Sequence, residues 1–279
     1  MARFASYDGT EIGYRTLGEG RPLVCLPGGP GRGSEYFGDL GGLSESRRLI
    51  LPDTRGTGLS ADASDPASYR CDRLAGDVEA LRAELGLDTM DLLGHSASGS
   101  LAVLYAAAYP ERVRRLVLLA PGLRALGVEV TEEQWRAAVE RRSHEPWYHA
   151  AMAAFGRAEA GEDSMENRRL YMPFLYGRWD EVAQAHVDIG VSDRSGPVRA
   201  VFGTEGAFDP PVTREAVRRL AAPVLIYAGE CDANPTPEVA ATAVGLFPNA
   251  TLTVQPGAGH FPWLDDPAFF TAALNSFLD

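Results

Sequence analysis

Gly94-His95-Ser96-Ala97-Ser98 sets a serine between two small residues, after the apolar pair Leu92-Leu93 and before an alanine-rich stretch. This is the pattern of a strand that turns sharply into a helix with a serine at the apex. Gly94 and Ser98 must be small because the two backbones approach closely on either side of a strained residue. Ser98 takes a position usually held by glycine and still meets that demand. Ser96 then stands at a helix N-terminus, whose free N–H groups favour a developing negative charge. A serine hydroxyl becomes a useful nucleophile only when a nearby base removes its proton. Histidine suits that role because it exchanges protons near neutrality, and a buried carboxylate fixes its tautomer. His260 follows Pro256-Gly257-Ala258-Gly259, and Asp232 closes Gly229-Glu230-Cys231-Asp232, with Glu230 as its rival on the same loop. A tetrahedral oxyanion would need two aimed donors. The backbone N–H of Ala97 and of Gly29, in Pro27-Gly28-Gly29-Pro30-Gly31, are the expected pair.

These residues need a scaffold that brings strand ends together. Residues 2–17 read as two short strands hinged at Asp8-Gly9. Pro22–Leu26, Arg48–Leu51, Arg115–Ala120 and Pro223–Ala228 are unbroken apolar runs of strand length, as central parallel strands are. Leu74, Val78, Leu81 and Leu85 recur at helical spacing over residues 70–86, and Gly86 suits the C-terminal cap. A helix over 236–247, a strand at 251–254 and a helix over 267–278 complete the alternation. Strand–helix alternation predicts a mostly parallel sheet covered on both faces, whose sites lie beyond the carboxyl ends of the strands. From 122 to 222 only helical periodicity is visible, which predicts a helical cap inserted into a core made of 1–121 and 223–279.

The chain has 279 residues and a net charge of −12, which argues against nucleic acid or an anionic membrane as partner. All 26 basic residues are arginine. Cys25, Cys71 and Cys231 form no CxxC pair, so reduced thiols and a cytoplasmic location are expected. No apolar leader or membrane-length run is visible. No ligand cluster suggests a metal, and Asp53-Thr54-Arg55-Gly56-Thr57-Gly58 lacks the lysine of a phosphate loop. It reads instead as a turn braced by an Asp53–Arg55 pair. Cys231 has no base partner and reads as a small filler. His95 is expected to pack at the elbow, and His144, His149 and His186 to be surface or packing residues of the cap.

On Gly28-Gly29-Pro30-Gly31, Asp53-x-Arg55-Gly56-x-Gly58-x-Ser60, Gly94-His95-Ser96, Gly229-x-x-Asp232 and Gly259-His260, the chain resembles the α/β-hydrolase superfamily, and within it the proline-iminopeptidase-like branch. The resemblance covers 20–121 and 223–279. It implies an α/β-hydrolase fold and cofactor-free serine hydrolysis through an acyl-enzyme, on a small amide, ester or short peptide-like molecule. The leading expectation is aminopeptidase- or amidase-like removal of an N-terminal aminoacyl group. A general carboxylesterase or thioesterase-like hydrolase is the alternative, and a non-catalytic ligand-binding member the competing class. The family order Ser…Asp…His selects Asp232 and His260 as partners of Ser96. Two departures bear on specificity: Pro27 stands where the branch has histidine, and Ala97-Ser98 where it often has Trp-Gly. Both speak against strict proline specificity.

An exopeptidase must hold a free ammonium group with a carboxylate. Residues 122–222 hold 13 arginines and 16 acids, a net of −3, which leaves −9 for the remainder. Bulk acidity therefore says nothing about an amine; only particular carboxylates can. Tyr176-Gly177-Arg178-Trp179-Asp180-Glu181 is similar to a Trp-acid element that in the family helps hold the amine, so Asp180 and Glu181 are candidates. Glu205, set in a loop by Gly203 and Gly206, is a third. Oligomeric state is not legible.

Overall fold

Short apolar runs bounded by glycine and proline pair into one sheet. The structure, a computed structural model, describes residues 1–162, 164–191 and 195–279. Its strands are β1 (Ala2–Ala5), β2 (Glu11–Leu17), β3 (Pro22–Leu26), β4 (Arg48–Pro52), β5 (Met90–His95), β6 (Val113–Leu119), β7 (Val224–Gly229) and β8 (Ala250–Gln255). They lie in the order β1-β2-β4-β3-β5-β6-β7-β8. β1 and β2 pair antiparallel, as does β2 with β4, and all later neighbours are parallel. From β3 the chain goes to β4 on one side, then returns to β5 on the other. The ends of β3 and β5 therefore face each other at the switch point, where open α/β sheets bind ligands.

Helices α1 (Cys71–Glu84) and α2 (Ser98–Ala108) cover one face. Alternation along the strands splits the interior accordingly. Val24, Ile50, Leu92, Leu116 and Ile226 pack toward α1 and α2, whereas Leu23, Leu49, Leu93, Val117 and Tyr227 pack toward Phe37, Trp263 and Phe270. Beyond β6 come α3 (Glu132–Glu140), α4 (Tyr148–Glu159), α5 (Met165–Tyr171), α6 (Glu181–Val191), α7 (Gly196–Val201) and α8 (Pro210–Val217). No strand lies between Leu119 and Val224 among the described residues. Trp135, stacked on Phe155 at 4.3 Å, joins Val139, Tyr148 and Phe174 in a small apolar cluster of this segment. Val217 and Leu220 instead belong to the main core beside α2. After β7 follow α9 (Pro237–Thr242), α10 (Pro262–Asp265) and α11 (Pro267–Leu278). No helix among the described residues is long and apolar enough to cross a membrane.

Asp53 and Arg55 do not pair with each other as the sequence suggested. Asp53 accepts from the Ser34 and Leu59 amides at 2.6 and 2.8 Å, holding the segments after β3 and β4 together. Arg55, with no exposed side-chain surface, pairs with Asp77 and Asp8 and donates to Ser68 Oγ at 2.8 Å. A fully buried guanidinium needs such partners, and spacing of two in the sequence cannot reveal them.

α6 carries His186 into the seam between the inserted helices and the core. Its Nε2 donates to the Tyr36 carbonyl at 2.9 Å, and its Nδ1 accepts from Tyr176 Oη at 2.8 Å. Burial, helped by the charge of Arg32, pushes its pKa from 6.5 down to about 4. The folded protein thus binds fewer protons than the unfolded chain below about pH 6.5. The contribution is intact above that value and is lost as pH falls toward about 4, by up to about 3 kcal/mol. Urea midpoints are expected to fall over that window, and His186→Gln to flatten the slope.

Candidate active site

β5 ends at His95 and α2 begins at Ser98, so Ser96 and Ala97 alone make the turn. Ser96 adopts φ +53°, a left-handed conformation that costs a residue with a side chain of order 1–3 kcal/mol. Its backbone is pinned on both sides. The Ser96 amide donates to the Leu119 carbonyl at 3.0 Å, and its own carbonyl accepts from Gly99 and Gly122 at 2.8 and 2.7 Å. A Cβ on Gly28 would lie 2.6 Å from Ser96 Cβ, so only glycine lets the loop after β3 approach the serine. Ser98 Oγ donates to the Pro27 carbonyl at 2.5 Å. The residue that departs from glycine thus ties the elbow to that same loop.

Ser96 Oγ lies 2.9 Å from His260 Nε2, and His260 Nδ1 lies 2.7 Å from Asp232 Oδ2. Asp232 is buried, and its other oxygen accepts from the Asn234 amide at 2.9 Å. Both oxygens being acceptors, Nδ1 carries the proton in the neutral ring and Nε2 is free to accept from the serine hydroxyl. Glu230, the rival acid, points its carboxylate to the Gly257 amide at 2.8 Å and has no contact with His260.

Ser96, Gly29 and Ala97 all line one cavity of about 340 Å³. The Gly28 amide is already used, donating to Tyr36 Oη at 2.8 Å. The Gly29 and Ala97 amides have no protein acceptor among the described residues. Tyr36 Oη in turn donates to His95 Nδ1 at 2.7 Å, and His95 Nε2 donates to the His260 carbonyl at 2.9 Å. One relay therefore links the loops after β3, β5 and β8. Burial foremost, then the nearby His260, holds the His95 pKa well below 6.5, so the ring stays neutral and one nitrogen can accept.

The three acids expected at a substrate amine do not line this cavity. Asp180 accepts from the Ala183 amide at 3.0 Å and caps α6. Glu181 is exposed in the first turn of that helix. Glu205 lines a neighbouring cavity of about 550 Å³. The acid on the wall of the Ser96 cavity is Glu129, which accepts from Arg124 Nε at 2.8 Å. Its only signal in the sequence is its place in the loop after β6, at the carboxyl edge of the sheet.

Residues 21–267 match the model of the α/β-hydrolase fold family. The chain belongs to the α/β-hydrolase family. A proline iminopeptidase of Levilactobacillus brevis is 27% identical over 95% of this hydrolase and 92% of its own length. Among solved structures, an esterase from Exiguobacterium antarcticum superposes with a TM-score of 0.73 at 21% identity, covering 99% of this chain and 98% of its own. An esterase from a Rhodococcus species does so with a TM-score of 0.70 at 28% identity, covering 99% and 98%. This α/β-hydrolase is thus similar to iminopeptidases and to esterases alike, and its chemistry is that of an enzyme.

Replacing Tyr36 by phenylalanine leaves the Gly28 amide and His95 Nδ1 unpaired in a dry interior. A loss of about 2 kcal/mol in stability is expected, with each orphaned group costing ~1–3 kcal/mol. Chemical denaturation of the two proteins side by side checks it.

Proposed function

We propose that this α/β-hydrolase is a serine hydrolase that cleaves a small amide or ester through an acyl-enzyme. The observation that carries the reading is the unbroken chain from Ser96 Oγ through His260 to Asp232, opening on a cavity rimmed by the Gly29 and Ala97 amides. Ser96 attacks the substrate carbonyl and passes its proton to His260 Nε2. The oxyanion is held by the two amides, which act while the charge develops. His260 then gives that proton to the leaving nitrogen or oxygen. Water, activated by the same imidazole, releases the acyl group and restores Ser96. Asp232 holds the ring in the needed tautomer. No step calls on a cofactor, and small-molecule or short peptide-like substrates suit a cavity of this size.

Within that reading, removal of an N-terminal aminoacyl group is the leading form. It is supported by the likeness to proline iminopeptidases and by the Glu129 carboxylate on the cavity wall. Pro27 and Ala97-Ser98 favour an acyl group broader than proline. An esterase is the second reading, favoured by the Rhodococcus likeness. The net charge of −12 speaks against nucleic acid or an anionic membrane as partner, and we infer a cytoplasmic enzyme from its free cysteines.

Ser96→Ala is expected to lower kcat by about 10⁴ or more and to abolish labelling by a fluorophosphonate probe, with the fold intact. Asp232→Asn should cost about 10⁴ through the wrong tautomer, while Glu230→Gln stays within about two-fold. If Glu230→Gln is the damaging change, the assignment of the acid fails.

Acetylating the amine of an aminoacyl anilide should raise KM by about ten-fold or more, as should Glu129→Gln, with simple esters little changed. Equal cleavage of blocked and free substrates would leave the esterase.

A further inference from the structure

The cleft does not end at the Ser96 cavity. Past Pro30, Ala97 and Gly122 it continues into a second cavity of about 280 Å³, walled by Phe202 and by two arginines, Arg124 and Arg199. No acidic residue lines this second cavity among the described residues. In a chain of net charge −12, two guanidinium groups on one cavity without an acid in its lining make a locally cationic wall.

Both arginines are exposed, and they are held differently. Arg124 is fixed from three directions. Its Nε donates to Glu129 at 2.8 Å, its guanidinium lies 5.0 Å from the Phe208 ring centre, and its Nη1 crosses Gly203 so closely that a Cβ there would collide. With Nε occupied by Glu129, the Nη edge is the part left to meet a ligand. Arg199 belongs to α7, which is docked on the loop after β3. The Ser195 amide donates to the Gly31 carbonyl at 2.7 Å, and the Arg199 amide to the Ser195 carbonyl at 3.1 Å. A Cβ on Gly31 would lie 2.7 Å from the Ser195 carbonyl oxygen and 3.2 Å from Val198 Cβ. The helix that carries Arg199 and the loop that carries the Gly29 amide are therefore one packed unit. Two acids stand nearby, Glu129 on Arg124 and Glu205 on the outer cavity beyond it. Glu129 offsets the charge of Arg124, whereas Arg199 has no ion-pair partner among the described residues and no acid shares its cavity.

We propose that this second cavity is a subsite for a carboxylate carried by the substrate, held between Arg124 and Arg199. The enzyme's substrate is then an amide or ester with a free carboxylate a few bonds from the scissile carbonyl. A planar guanidinium meets a carboxylate with two parallel hydrogen bonds, which gives direction as well as attraction. The subsite rests on the hydrolase reading above but not on its aminopeptidase form. With a free amine at Glu129 the substrate is a dipeptide-like zwitterion; without one it is a dicarboxylic half-ester.

Two matched substrate pairs, assayed on the intact enzyme, test this. One pair is alanyl anilide against alanyl para-aminobenzoate, with the carboxylate on the leaving side. The other is para-nitrophenyl butyrate against mono-para-nitrophenyl glutarate, with the carboxylate on the acyl side. In one pair the carboxylate is expected to lower KM about ten-fold. The gain should vanish in Arg199→Gln and in Arg124→Gln, and shrink at ~0.5 M salt. Cleavage of the neutral members with no carboxylate preference in either pair overturns the subsite and leaves the hydrolase standing. A preference that survives both substitutions also overturns it.

Benzoate binding, followed by calorimetry without turnover, separates the two readings. Binding that weakens about ten-fold in Arg199→Gln supports the subsite even if no substrate in the panel is cleaved. No binding to the wild-type protein counts against it. Failure of Ser96 to react with fluorophosphonate counts against the hydrolase alone.

Discussion

A single buried imidazole governs the geometry of the site. His95 accepts from Tyr36 and donates to the His260 carbonyl, while Tyr36 accepts from the Gly28 amide. Because His95 precedes Ser96 in the chain, this relay sets Ser96 against both the loop after β3 and the loop that carries His260. The arrangement works only if the ring is neutral, since a protonated imidazole has no acceptor for the tyrosine. Burial among Phe37, Phe261 and Trp263 supplies that condition by disfavouring charge. A polar chain in so dry a setting is costly to break, which is why it can hold loops in place.

Around this centre the strand ends are braced by charges that meet far-off residues. Asp53 collects amides from Ser34 and Leu59, and Arg55 gathers Asp8, Asp77 and Ser68. Asp265 does the same beside His260: it accepts from Gly259 at 2.8 Å and from Gly177 and Arg178 at 3.2 and 3.1 Å. The His260 amide also donates to the Leu175 carbonyl at 2.7 Å. The inserted helices are thus stitched to the His260 loop along residues 175–178. Any shift of that segment would be felt at the imidazole. Burial of Asp265 raises its pKa, an upward pull that its three amide donors oppose.

One scaffold of this kind carries many chemistries, so what it acts on has to be read from the residues around the cleft. The floor here is Ser96, His260 and the Gly29 and Ala97 amides. The rim is chemically mixed: Glu129 and Arg124 form one pair at the Ser96 cavity, and Arg199 adds a cation beyond it.

Much of the molecule was legible in the chain itself. The order of strands and helices, the left-handed turn at Ser96 and the placing of Asp232 and His260 just past β7 and β8 all follow from local rules. Apolar period, glycine and proline punctuation and close backbone approach act between neighbours in sequence, so they leave marks there. Charge partnership does not. Asp180, Glu181 and Glu205 looked suitable by their surroundings in the chain, yet Glu129 is the acid on the cavity, and Arg55 turned away from Asp53 to Asp77 and Asp8. The same holds for Ser98, whose hydroxyl reaches Pro27 across the sheet end. Electrostatic and hydrogen-bond partners are chosen by distance through a low-dielectric interior, and only the folded chain fixes which residues come within that distance.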